Sequence, residues 1–110
     1  MKFTVITLFP EMVESFAAHG LLSQARDRGQ VSVETLNPRR FTSDVHHTVD
    51  DRVYGGSDGM VMKVEPLARA IEFLRGQGPL KVVVLSPQGR RWDQRQAGDW
   101  ANAGGHVALV

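Results

Sequence analysis

The stretch LKVVVLSPQGRRWDQRQAGDWANAGGHVALV, Leu80 to Val110, decides the fold. Leu80 to Leu85 is an apolar, β-branched run of strand length. Being apolar on both faces, it is expected to be a buried strand. Gly78-Pro79 stops whatever precedes it, and "SPQGRR" is a loop at its carboxyl end. Asp93 can cap the next helix, with Gln96 three residues on in capping-box position. Ala97, Trp100 and Ala101 share one helical face and are expected to point inward. "HVALV", His106 to Val110, then begins another strand. A strand, a loop, a helix and a strand within roughly 30 residues make a βαβ unit, which implies parallel strands.

The same alternation runs through the upstream sequence. Phe3 to Phe9, "FTVITLF", reads as a fully buried strand closed by Pro10, which suits the first position of a helix. Met12, Val13, Phe16 and Ala17 lie on one face of that helix. Gly20 interrupts it; Leu21, Leu22 and Ala25 resume a helical pattern that Gly29 ends. Val31 to Leu36 alternates as a strand, closed by Asn37-Pro38. Pro66 opens a helix with Leu67, Ala70, Ile71 and Leu74 at i, i+3, i+4, i+7 spacing. The expected class is α/β, a mainly parallel sheet with helices on both faces. Between Arg39 and Gly59 neither period persists, so about 39–59 is expected to be a long flexible loop inside a single α/β domain. The pattern of the last strand runs to Val110 without a turn or cap. The domain is therefore expected to be partial, and that strand to lack neighbours and leave an apolar edge open.

Composition narrows the function classes. At 110 residues the chain is one domain at most. Net charge is +1, so the whole composition is not that of an electrostatic nucleic-acid binder, although Arg39–Arg40 and Arg90–Arg91 are local basic pairs. With no cysteine there is no disulfide, thiolate metal site or cysteine nucleophile. The amino-terminal apolar run is too short for a signal-peptide core and nothing approaches membrane-spanning length, which makes a soluble, cytoplasmic protein with no membrane partner the expectation.

Two loops carry candidate chemistry. In "VDDRVYGGSDGMVMK", Val49 to Lys63, the glycines do not fit the G-x-x-x-x-G-K-[ST] phosphate loop, nor does a strand run directly into them. Asp44, His46, His47, Asp50 and Asp51 could suggest a metal, but adjacent histidines on extended backbone point opposite ways, and no metal is expected. Gly55, Gly56 and Gly59 suit a hinge or close approach to a partner, against the plainer alternative of a solvated connection. Arg52 and Tyr54 are the residue types that contact RNA phosphates and bases. The second loop, Ser86 to Gly89, sits where open α/β sheets bind ligands, or it is a plain strand-to-helix turn. No nucleophile or general base is visible in either.

Taken in order, "ITLFPEM", "NPRRFT", "HHTVDDRVYGGSDGM" and "LSPQGR" resemble the bacterial tRNA (guanine-N1)-methyltransferase family, TrmD, of the SPOUT class. The resemblance spans the whole chain. It implies a trefoil-knot α/β fold of which this chain is the amino-terminal part, with the knot region absent from it. It also implies methyl transfer from S-adenosylmethionine to N1 of the guanine 3′ of the anticodon. By this resemblance Leu85, Ser86, Pro87, Gln88 and Gly89 bind the adenosyl group. The loop residues Asp50, Arg52, Tyr54, Gly55, Gly56, Gly59 and Met60 lie near the methionine end and the flipped guanine. The partners implied are the tRNA anticodon stem-loop and a second subunit in a homodimer. The general base is implied to lie in the part that follows, with C-G-R-Y-E-G-I-D-E-R, so no catalytic residue is assigned here and this chain alone is expected to be inactive. Val53, Ser57 and Asp58 depart from the usual D-D-R-P-Y-G-G-G-P-G-M, which should loosen the loop. The alternative is a non-catalytic remnant, or an α/β nucleotide-binding or dimerisation module.

Overall fold

A computed structural model describes residues 1–42, 50–52 and 60–110. Strand β1 (Lys2–Ile6) leads into helices α1 (Pro10–Ala17) and α2 (Gly20–Asp27), then β2 (Ser32–Leu36) and a short 3-10 turn (Pro38–Phe41). A small hairpin follows, β3 (Asp50–Arg52) with β4 (Met60–Met62), then α3 (Val64–Arg75), β5 (Lys81–Val83), α4 (Gln94–Ala103) and β6 (His106–Leu109). Four strands form one parallel sheet in the order β2-β1-β6-β5.

This order explains which helix covers which face. The steps β1→β2 and β5→β6 run the same way across the sheet, so right-handed crossovers place α1–α2 and α4 on one side. The step β2→β5 runs the other way and places α3 opposite. Packing agrees. Ala70 and Leu74 of α3 close over Ile6, Leu36 and Ala108, with Phe41, Leu67, Ile71, Leu80 and Val110 around them. Paired residues of a parallel ladder share a face, and Lys81 pairs with Val107, one position out of phase with Ala108. Its ammonium accordingly meets Trp100 of α4 at 4.3 Å, on the face away from α3.

Several sequence expectations hold and several are corrected. The α3 face is as expected, with Ala70 and Leu74 buried. In α1, however, Ala17 is buried and Val13 partly so, while Met12 and Phe16 are exposed. Val13 and Ala17 form one i, i+4 ridge, and Met12 and Phe16 lie a helical step around from it. β1 stops at Ile6 rather than Phe9, because the Phe9 amide turns back to donate to Thr7 Oγ1 at 3.0 Å. Leu80–Leu85 is not a buried strand. It is the three-residue edge strand β5, with Lys81, Val84 and Leu85 exposed. Of the long loop expected at about 39–59, residues 43–49 and 53–59 lie outside the described residues, and the rest includes the end of the 3-10 turn and β3. Three-residue strands are too short to show a period.

The last strand is corrected most. β6 is not an edge lacking neighbours; it lies between β1 and β5, with Val107 and Ala108 buried. The α4→β6 connection turns on Gly104 (φ 65°) and Gly105 (φ 97°), backbone regions that side chains with a Cβ rarely adopt. Lys2 N then donates to Gly105 O at 2.8 Å and starts the β1–β6 ladder. None of the helices among the described residues is long and apolar enough to cross a membrane.

Under the α3 side, at the amino end of the sheet, lies a polar group. Thr4, buried, meets His106 Nε2 through Oγ1 at 2.7 Å, and Lys2 pairs with Glu34 at 3.3 Å. Burial lowers the His106 pKa below its ordinary 6.5, the Lys2 ammonium lowers it further, and Glu34 opposes both. The unfolded chain therefore takes up this proton at a higher pH than the folded one. Stability should fall as pH drops below about 6.5. In urea titrations at about pH 7 and about pH 5, His106→Gln should narrow the gap between the two midpoints; an unchanged gap would show that His106 carries none of it. Leu74→Ala should cost about 3 kcal/mol of unfolding free energy, since it opens a cavity over Ile6 and Leu36.

Candidate functional site

All four strands of the parallel sheet point their carboxyl ends the same way, so the segments after β1, β2 and β5 gather on one rim. Leu85 to Gly89 follows β5 onto that rim. The ladder continues one step past the strand: Val110 N donates to Val83 O at 2.9 Å and Leu85 N to Val110 O at 3.0 Å. The chain then folds on itself. Gln88 N donates to Ser86 Oγ at 3.2 Å, and Gly89 N to Ser86 O at 3.1 Å. A Cβ at Gly89 would sit 3.3 Å from Ser86 O, so the turn is tight there. Pro87 has no amide hydrogen, and the Gln88 and Gly89 amides are both satisfied by Ser86. Beside the turn, Val84 and Leu85 leave apolar surface open, 64% and 70% exposed.

Beyond the turn, Asp93 Oδ1 accepts from Gln96 N at 2.9 Å, the expected cap of α4. The reciprocal half of the capping box is absent, because Gln96 Nε2 donates instead to Arg91 O at 2.7 Å. That bond ties the loop to the helix. Ala97 and Trp100 are partly buried, but Ala101 is exposed, contrary to the expected inner face.

After β2 the sequence reading missed a second feature of the rim. Asn37 Oδ1 accepts from Arg39 N at 3.0 Å and sets the 3-10 turn. The turn carries Phe41 against Phe73 of α3, ring centroids 5.6 Å apart, and the Arg40 guanidinium lies 5.7 and 5.5 Å from the two rings. Asn37-Pro38 signalled the turn, but no local pattern could indicate that it would meet α3.

In the β3–β4 hairpin, Asp50 pairs with Met62, Asp51 with Val61 and Arg52 with Met60, antiparallel. The structure thus brings Asp50, Arg52 and Met60 onto the arms of one hairpin. Tyr54, Gly55, Gly56 and Gly59 lie outside the described residues, as do Val53, Ser57, Asp58, Asp44, His46 and His47. Two surface concavities lie elsewhere. One of about 250 Å³, lined by Met1, Leu80, Gly105 and His106, is at the amino end of the sheet, and one of about 600 Å³ is bounded by Ala18, Arg26 and Val33. Neither touches the Leu85–Gly89 turn.

A family model described as tRNA (Guanine-1)-methyltransferase TrmD matches residues 1–110. The chain belongs to the TrmD family. Among similar proteins, the tRNA (guanine-N(1)-)-methyltransferase of Methylococcus capsulatus is 52% identical over 112 aligned positions, covering 100% of this chain and 45% of that protein. That of Alcanivorax borkumensis is 50% identical, covering 97% of this chain and 41% of its own. The crystal structure of tRNA (m1G37) methyltransferase from Aquifex aeolicus superposes with a TM-score of 0.86 at 28% identity, over 100% of this chain and 50% of that one. The chain therefore spans less than half the length of these curated TrmD relatives, and the SPOUT-like α/β class expected from its motifs is the fold observed.

The capped turn is open to direct test. Asp93→Ala should lower stability by about 1 kcal/mol and leave Trp92 and Gln96 less ordered, read as a lower thermal midpoint with a changed tryptophan spectrum.

Proposed function

We propose that this chain is the donor-binding and substrate-loop portion of a tRNA (guanine-37-N1)-methyltransferase that uses S-adenosylmethionine. The observation that carries the proposal is the TrmD match over residues 1–110 together with the fold shared with the A. aeolicus enzyme. Leu85, Ser86, Pro87, Gln88 and Gly89 hold the adenosyl group. They fit it: a flat, largely apolar base needs apolar surface beside it, which the exposed Val84 and Leu85 side chains supply. Asp50, Arg52, Tyr54, Gly55, Gly56, Gly59 and Met60 position the guanine and the donor's methionine end.

S-adenosylmethionine supplies an electrophilic methyl group on sulfonium sulfur. Guanine N1 forms the new bond to that carbon as the sulfur–carbon bond breaks and its electron pair stays on sulfur, leaving S-adenosylhomocysteine. The N1 proton passes to a general base. None of the residues in the turn or on the hairpin is assigned that base, which we place in the remainder of the family's length. A tight turn at the donor and a glycine-rich stretch at the guanine are the parts this chain contributes. The anticodon stem-loop is the substrate, a homodimer the working assembly, and the cytoplasm the compartment.

Two measurements check this reading. Calorimetric titration with S-adenosylmethionine should give saturable heat in the micromolar range, weakened by Leu85→Asp; absence of heat at millimolar ligand would reduce the chain to a remnant or dimerisation module. A radiolabel transfer assay with cognate tRNA should show no turnover by this chain alone, and turnover above background would place a base within it.

A further inference from the structure

Arg90, Arg91, Trp92 and Arg95 form an exposed group that nothing in the donor site uses. Trp92 is 51% exposed even though its ring meets Trp100 edge to face, centroids 4.6 Å apart. Trp100 is itself held by the Lys81 ammonium. Packing thus orders the Trp92 indole on one side and leaves a flat apolar surface open on the other. The carboxylate among these arginines, Asp93, is engaged as the cap of α4. Among the described residues the ion pairs are Lys2–Glu34 and Glu65–Arg69, so none involves Arg90, Arg91 or Arg95. Arg95 also sits in the first turn of α4, where the helix dipole disfavours a cation and where no acidic residue is found. Three guanidiniums and a half-open indole on six consecutive residues carry a strongly local positive charge on a chain whose net charge is +1.

We propose that Arg90, Arg91 and Arg95 bind backbone phosphates of the RNA substrate and that Trp92 stacks on one of its unpaired bases. The inference rests on the tRNA reading above and adds the surface that grips the substrate. Guanidiniums match phosphate oxygens bidentately, and indoles stack on splayed bases. An acidic peptide would satisfy the arginines alone; the open indole beside them selects a partner with flat faces between its charges. The segment follows Gly89 directly, so the phosphate backbone and the methyl donor meet on the same rim of the sheet. Gln96, through Arg91 O, fixes the path of the segment to α4.

The test is fluorescence anisotropy of a labelled anticodon stem-loop RNA with this chain, between about 50 and about 200 mM salt. Arg90→Gln and Arg91→Gln should each reduce the steepness of log K against log salt by roughly 0.7–0.9. Trp92→Ala should weaken stem-loop binding about tenfold with that slope unchanged. Trp92→Phe, which keeps a flat face, should restore most of the loss, and neither Trp92 variant should alter binding to a blunt DNA duplex. Circular dichroism should show all variants folded. Absence of saturable binding at the lowest salt, arginine variants with an unaltered slope, or equal losses on stem-loop and duplex would overturn the proposal. Retained S-adenosylmethionine binding with unaltered slopes would reject this surface and leave the enzymatic reading standing; altered slopes without donor binding would do the reverse.

Discussion

β6 is hydrogen-bonded on both sides, to β1 from Lys2↔His106 to Val5↔Leu109 and to β5 from Lys81↔Val107 to Val83↔Leu109. Without it the β1–β2 pair and β5 are two separate pieces. Its Val107 and Ala108 are fully enclosed, and Ala108 in particular allows α3 to approach the sheet closely enough for Ala70 and Leu74 to reach Ile6 and Leu36. A small residue at the centre of the sheet facing a small residue on the helix is what close helix–sheet packing requires.

The rim inherits its geometry from that strand. Because Val110 both donates to Val83 and accepts from Leu85, the turn Ser86–Gly89 begins from a backbone held on its inner side. The turn then spends its own amides on Ser86, and Asp93 and Gln96 secure the far end to α4. The turn built this way is tight, with a Cβ at Gly89 meeting Ser86 O at 3.3 Å. The hairpin arms Asp50–Arg52 and Met60–Met62 pair on either side of a glycine-rich stretch of the sequence.

The polar end of the α3 face has the opposite character. Thr4 is buried and satisfied by His106, and the Lys2–Glu34 pair stands beside them. These contacts tie β1, β2 and β6 together across three strands at the end of the sheet away from the Ser86–Gly89 turn. They make the central strand's attachment sensitive to protonation at His106.

Sequence by itself determined the types of the parallel-sheet strands and of the helices, the parallel α/β class, the apolar stripe of α3, the cap at Asp93 and, through its motifs, the family. These are local properties: periodicity, capping chemistry and strings of adjacent residues act over a few positions and are legible without the fold. Tertiary structure alone decided that β6 is central rather than an edge, that β5 is short and half-exposed, and that α1 buries Val13 and Ala17 instead of Met12 and Phe16. It also decided that Gln96 would hold Arg91 O rather than complete its capping box. Each of these depends on which strand lies beside which, and a crossover that steps back across the sheet leaves no local mark in the residues it connects.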